Sequence, residues 1–63
     1  MSIVEKRKEK GLTQMQLAEN LSVSPAAVAM WETGERTPRI EKLLAMAKLF
    51  GCTVDELIKK DDK

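Results

Sequence analysis

The chain has 63 residues, of which 43% are hydrophobic and 33% charged, and its 11 basic and 10 acidic residues leave a net charge of +1. A chain this short buries only about 60% of its unfolded surface in a single core, so one domain over residues 1–63 is expected, without a large enclosed active site. The composition excludes a disordered chain, and no stretch reaches the roughly 18 apolar residues of a membrane-spanning helix.

Start signals for helices recur along the chain. Ser2–Glu5, Thr13–Gln16 and Thr53–Glu56 each match the capping box, in which a hydroxyl and a carboxyl or amide satisfy free backbone N–H groups reciprocally. Ser24-Pro25 and Thr37-Pro38 each combine an N-cap with a first-turn proline. These signals predict the beginnings of five helices.

Glycines at positions 11, 34 and 51 are suited to end the helical stretches that precede them. Helices are therefore predicted near residues 2–10, 13–20, 24–32, 38–50 and 53–60. Apolar residues recur at helical spacing within them: Ile3 and Val4; Leu17, Ala18 and Leu21; Val28 and Trp31; Ile40, Leu43, Leu44, Ala47 and Phe50; Val54, Leu57 and Ile58. The sequence predicts an all-α fold, a compact five-helix bundle.

The short connection Leu21-Ser22-Val23 is the most informative one in the chain. It joins two helices that both carry an apolar face, which is typical of a helix-turn-helix. The small side chain of Ala18, one turn earlier, would let the two helices cross closely. If Ser22 adopts a left-handed conformation there, the cost relative to glycine is roughly 1 kcal/mol.

Residues that could carry out catalysis are scarce. The chain has no His, no Tyr and one cysteine, so neither a catalytic triad nor a metal site can be assembled. We expect a protein that is not an enzyme and has no cofactor, metal or small-molecule ligand. Cys52 has no partner for an internal disulfide, which suits a reducing cytoplasm, and we expect it to be a small buried side chain.

The segment LTQMQLAENLSVSPAAVAMWETGERTP resembles the lambda-repressor and Cro-like helix-turn-helix regulators, also called the xenobiotic-response-element type. The resemblance covers nearly the whole chain. It implies that the third helix enters the major groove of DNA while the second crosses the backbone. The shared positions are Leu12, Thr13, Gln14, Leu17, Ala18, Val23, Ser24, Val28, Trp31, Glu32, Gly34 and Pro38, followed by GCTVDEL at 51–57.

The resemblance also implies which residues contact DNA. Gln14 would hold a phosphate at the start of the second helix, where the N–H groups and the helix dipole favour an anion. The positions that match base-reading residues are Ser24, Pro25, Ala26, Ala27 and Met30. Because these side chains offer mainly methyl groups and a thioether, which can contact thymine methyls, we expect weak base discrimination or specificity from DNA shape and phosphate placement.

Arg36 and Arg39 lie in a region that resembles the family's second contact with the DNA backbone, and Thr33 matches a position that often contacts a phosphate. Arg39 could also reach a narrow minor groove, although solvation of both arginines is the simpler interpretation. Arg7 on the first helix and the Glu32 carboxylate are predicted by the resemblance to form a largely buried ion pair.

These features predict a sequence-specific regulator that binds double-stranded DNA and represses transcription by occluding polymerase. We expect a homodimer, at least on DNA, with Leu49 and residues 52–57 as candidate contacts and third helices about 34–36 Å apart. The alternative is a module that binds another protein, antitoxin-like, through an apolar patch of Ala26, Ala27, Ala29 and Met30 beside Met15. Alternatively, these small residues only favour helix formation.

Overall fold

The computed structural model describes residues 2–58, which form five α-helices and no strand: α1 (Ile3–Glu9), α2 (Gln14–Leu21), α3 (Pro25–Thr33), α4 (Ile40–Phe50) and α5 (Val54–Ile58). The predicted all-α five-helix fold is confirmed. Within this part of the chain no helix combines the length and the apolar character needed to cross a membrane. The last residues of the predicted fifth helix, 59 and 60, lie outside the described range.

Three of the predicted helix caps are confirmed. Thr13 Oγ1 accepts the N–H of Gln16 at 3.0 Å, and Gln16 Oε1 accepts the N–H of Thr13 at 2.9 Å. Ser24 Oγ accepts the N–H of Ala27 at 3.2 Å. A second capping box begins α5, where both reciprocal hydrogen bonds of Thr53 with Glu56 measure 3.1 Å. The beginnings of α2, α3 and α5 are thus set by local side chains.

The side-chain caps predicted at Ser2 and Thr37 are wrong, although Ser2 is the N-cap residue of α1 as predicted. The Ser2 side chain makes no capping hydrogen bond, and its backbone N–H instead donates to the Leu57 carbonyl at 2.8 Å, which ties the start of α1 to α5. Helix α4 begins at Ile40, not at residue 38, because Arg39 is extended, with φ −70° and ψ 159°, and helical geometry starts only after it. Arg39 is the N-cap of α4 and makes no side-chain capping bond.

The core is a single cluster to which all five helices contribute. On α4 the predicted apolar face is partly wrong: Ile40 and Leu44 are 63% and 57% exposed, whereas Met46 is fully buried. Ile58 on α5, also predicted to be apolar core, is 43% exposed. The buried residues are Ile3, Leu17, Ala18, Leu21, Val28, Trp31, Leu43, Met46, Ala47, Phe50 and Leu57.

The turn between α2 and α3 contains a left-handed residue. Ser22 has φ 59° and ψ 43°, and it is the one residue other than glycine with positive φ among those described. The N–H of Val23 donates to the Ala18 carbonyl at 3.0 Å, so the chain reverses directly after α2. A left-handed conformation costs an L-residue roughly 1–2 kcal/mol, and Ser22 bears this cost because, unlike glycine, it has a Cβ atom.

Replacing Ser22 by glycine is therefore expected to raise the free energy of unfolding by about 0.5–1 kcal/mol. Relief of the left-handed strain exceeds the extra entropy that glycine gives to the unfolded chain. Urea denaturation followed by the fluorescence of Trp31 measures the change. Ser24→Gly is the matched control, since this serine is extended and caps a helix, and its loss should lower stability by a few tenths of a kcal/mol, about 0.3. Equal effects of the two variants would contradict the strain argument.

Candidate nucleic-acid interface

The first turn of α3 faces solvent. Ser24, Pro25 and Ala26 are exposed, while Ala27 and Met30 are partly buried, and Ala27 packs against the core. The structure thus places the five predicted base-reading residues on α3 and its N-cap, with three of them exposed. Ala27 contributes to packing as well as to this surface.

The α3 surface offers few groups that can form hydrogen bonds with a base. The Ser24 oxygen already accepts the N–H of Ala27, but its hydroxyl proton can still be donated to a ligand. The side chains of Pro25, Ala26, Ala27 and Met30 present only hydrocarbon and a thioether. Such groups can distinguish thymine by its methyl group and cannot form the bidentate hydrogen bonds that identify guanine or adenine.

A groove of about 250 Å³ runs between α3 and the segment that enters α4. Its base is apolar and its edge carries three cations; the lining residues are Val23, Ala27, Met30, Trp31, Arg36, Thr37, Arg39 and Lys42. Arg36 and Arg39 are exposed, and the ion pair found within residues 2–58 involves neither of them. Both guanidinium groups are therefore available to an anion that lies along this edge.

Lys42 has a different environment from the two arginines. Its Nζ donates to the backbone carbonyl of Leu21, the last residue of α2, at 2.6 Å. The last turn of α2 has no basic residue of its own, so this ammonium group supplies the positive charge that a helix C-terminus favours. The contact connects α4 to the turn before α3. No pattern in the sequence indicates this role, because the two residues are 21 positions apart.

The N-terminus of α2 has the features of an anion site. Gln14 is the first residue of the helix and is exposed, and the backbone N–H groups of Gln14 and Met15 have no acceptor among residues 2–58. The partial positive charge of the helix terminus adds to these two donors. The Gln14 side chain does not extend freely into solvent: its Nε2 donates to Glu32 Oε1 at 2.8 Å.

Arg7 and Glu32 form an ion pair that the Gln14 side chain contacts. Arg7 Nε donates to Glu32 Oε2 at 2.7 Å, and their side chains are only 13% and 7% exposed. Arg7 Nη1 also donates to the Leu12 carbonyl at 2.8 Å. The structure therefore brings together Arg7, Glu32 and Gln14 in one connected group of polar contacts. The contact between Gln14 and Glu32, 18 residues apart, has no signal in the sequence.

Thr33 is exposed at the C-terminal end of α3 but is already engaged within the protein. Its hydroxyl oxygen lies 3.2 Å from the Met30 carbonyl and 3.3 Å from Glu35 Oε1, and its single proton is donated to one of these acceptors. A phosphate contact by Thr33 would require this hydroxyl to rotate. The nearby Glu35 carboxylate also repels an anion, so Thr33 is less suited to a phosphate than Gln14 or the arginines.

The residues expected at a dimer contact are only partly accessible. Leu57 is fully buried, so its inclusion in a candidate dimer surface is wrong. Leu49, Cys52 and Val54 are half-buried and pack against the core, which also corrects the expectation of a buried cysteine. The exposed members of the segment 52–57 are Thr53, Asp55 and Glu56.

Comparison with known proteins identifies relatives along most of the chain. Residues 3–57 match the family model described as helix-turn-helix. The HTH-type transcriptional activator BcrR of Enterococcus faecalis is 45% identical over 56 residues, which are 89% of this chain and 28% of that protein. Repressor protein C2 of Salmonella phage P22 is 38% identical over 56 residues, 89% of this chain and 26% of the relative.

The HTH-type transcriptional regulator AnsR of Bacillus subtilis (strain 168) is 34% identical over 59 residues, 94% of this chain and 51% of AnsR. The chain thus spans between a quarter and a half of the length of these relatives. Among solved structures, a crystal structure of the P22 c2 repressor protein in complex with synthetic operator 9T, in the presence of Tl+, superposes with a TM-score of 0.85. The sequence identity is 37%, and the match covers 94% of this chain and 89% of the solved chain.

Proposed function

This chain belongs to the helix-turn-helix family, and from that premise we propose that it binds double-stranded DNA and regulates transcription. Helix α3 lies in the major groove and α2 crosses the backbone. The observation that supports this most is the arrangement around α3: its first turn is exposed, the Gln14 side chain at the N-terminus of α2 contacts Glu32 near its other end, and Arg36 and Arg39 form the cationic edge of the groove beside it. The names of the relatives describe transcriptional regulators.

In this proposal the DNA backbone supplies most of the affinity. Gln14 and the first-turn N–H groups of α2 hold one phosphate, while Arg36 and Arg39 neutralise others along the edge of the groove beside α3. Thr33 adds a weaker contact after its hydroxyl rotates. Base discrimination comes from the hydrocarbon surface of α3 against thymine methyls, from the Ser24 hydroxyl and from the shape of the site.

We propose that the protein acts in the cytoplasm as a homodimer, at least when bound to DNA. Two-fold symmetry places the two α3 helices in successive major grooves, about 34–36 Å apart. Repression follows if the bound site overlaps a promoter, because the protein then occludes polymerase. The named relatives include both an activator and a repressor, which fits a domain whose effect depends on the position of its site.

Titration of a mixed-sequence duplex at several salt concentrations tests this function. A protein that contacts the backbone should lose affinity steeply as salt rises, with a slope in log K against log salt of about −0.9 for each phosphate neutralised. Selection of bound sites from a random library then gives the preferred sequence. Absent binding, or an affinity that does not change with salt, would contradict the proposal.

Met30→Glu separates DNA binding from the alternative of a protein partner. Met30 is partly buried in the groove beside Arg36 and Arg39, so a carboxylate there should repel the backbone and lower duplex affinity at least tenfold, about 1.4 kcal/mol or more. Leu44→Glu adds the same charge on the exposed face of α4 and should change affinity little. If the unmodified protein binds no duplex and Met30→Glu instead abolishes self-association, the protein-binding module is the better description.

A further inference from the structure

The Gln14 side chain is held in one orientation before any ligand arrives. Its Nε2 donates to Glu32 Oε1, although Gln14 itself is exposed and would otherwise sample several rotamers. A carboxylate only accepts hydrogen bonds, so the nitrogen of the amide, not its oxygen, must face Glu32. One N–H of Nε2 is then used, and the other remains available to a further acceptor, as do the backbone N–H groups of Gln14 and Met15.

The Glu32 carboxylate is itself fixed in place. Its side chain is 7% exposed, and its second oxygen accepts Arg7 Nε at 2.7 Å. Arg7 in turn donates Nη1 to the Leu12 carbonyl at 2.8 Å. The contacts therefore continue from the connection before α2, through α1 and α3, to the first residue of α2. Gln14 is thus anchored to an ion pair that is itself largely buried.

We infer that Glu32 is a positioning residue for the DNA backbone, which sets the Gln14 amide so that its remaining N–H meets a phosphate together with the first N–H groups of α2. This inference rests on the proposed DNA binding. A preorganised side chain loses less conformational entropy on binding than a free one, so the contact contributes more to affinity. The Arg7–Glu32 pair thus has a role in binding in addition to its role in folding.

The test compares the effect of Gln14→Ala in two backgrounds. Glu32→Leu alone would leave the Arg7 charge buried without a partner and could unfold the domain, so the second background is the double variant Arg7→Met with Glu32→Leu. Apolar replacement of both members of a buried pair is often tolerated. Circular dichroism verifies folding, and duplex affinity is measured for all four proteins at one salt concentration.

In the unmodified background Gln14→Ala should weaken duplex binding about tenfold, as expected for a hydrogen bond to a charged group. In the Arg7→Met, Glu32→Leu background the same change should weaken binding only about threefold, because the freed glutamine must first be ordered. An equal factor in both backgrounds would overturn the positioning role and leave DNA binding intact. Absence of duplex binding by the unmodified protein would instead overturn the proposed function, and this inference with it.

A second measurement needs no DNA. In the free protein, the side-chain amide of Gln14 should give an NMR signal with slowed hydrogen exchange and a shift distinct from those of Gln16 and Asn20. This signature should disappear in the Arg7→Met, Glu32→Leu variant. A Gln14 amide that is indistinguishable between the two proteins would overturn the anchoring on which the inference depends.

Discussion

Replacing Arg7 by alanine is expected to lower the free energy of unfolding by about 3–5 kcal/mol. The change leaves Glu32, whose side chain is 7% exposed, as a buried charge without its partner, and it removes a donor from the Leu12 carbonyl. Small domains have total stabilities of roughly 5–15 kcal/mol, so a large share is lost. Urea denaturation followed by the fluorescence of Trp31, which is 7% exposed, measures the effect.

Two controls make this result specific to the ion pair. Lys8→Ala removes an exposed cation from the same helix and should change stability by less than about 0.5 kcal/mol. The double variant Arg7→Met with Glu32→Leu should stay within about 1 kcal/mol of the unmodified protein, because no charge is left buried. If Arg7→Ala costs no more than Lys8→Ala, the pair does not stabilise the fold.

Removing the cationic edge should have the largest effect on DNA binding. With Arg36 and Arg39 both replaced by alanine, the slope of log K against log salt should become shallower by about 0.9 for each lost phosphate contact. Two lost contacts correspond to a loss of affinity of roughly 60-fold at 0.1 M salt, calculated from the same relation. Binding titrations at several salt concentrations provide both values, and stability should change little because both side chains are exposed.

The control for this experiment is a double variant that removes the same charge elsewhere. Lys8 and Lys48 are exposed on α1 and α4, outside the groove, and their replacement by alanine should leave the slope nearly unchanged. A slope that falls equally in both double variants would indicate a general effect of net charge. The two arginines would then have no specific place on the backbone.

Local signals in the sequence predict much of this fold. The hydroxyls of Thr13, Ser24 and Thr53 each satisfy an N–H group within three residues, so a pattern of a few letters is sufficient to place these helix starts. At Ser2 the helix begins where the pattern places it, but the capping hydrogen bonds are absent and the backbone N–H donates to the distant Leu57 carbonyl. Local capping rules hold where tertiary contacts do not compete with them.

Helix α4 shows a second limit. Its apolar residues cover a band wider than one core face, since Ile40, Leu43, Leu44, Met46 and Ala47 are all hydrophobic. Periodicity identifies the helix but does not decide which edge of the band is buried. That choice depends on how α4 packs against the other helices, and it places Met46 inside while Ile40 and Leu44 remain outside.

In the candidate site, too, local sequence patterns predict some contacts and not others. The proposed DNA contacts on α3 and at Arg36 and Arg39 are predictions from the family motif, because they depend only on spacing along the chain. The hydrogen bonds of Gln14 with Glu32 and of Lys42 with Leu21 join residues 18 and 21 positions apart through long side chains. No local pattern specifies such contacts, and they become visible only when the helices are packed.

The bond from Lys42 to the Leu21 carbonyl has a consequence for engineering. The segment from α2 to α3 does not contain all of its own contacts, since the ammonium group that binds the last carbonyl of α2 belongs to Lys42 of α4. Transplanting residues 14–33 into another scaffold would leave that carbonyl without its donor and the C-terminal end of α2 without a positive charge. A chimaera would keep its binding geometry only if the host also provides a cation at that place.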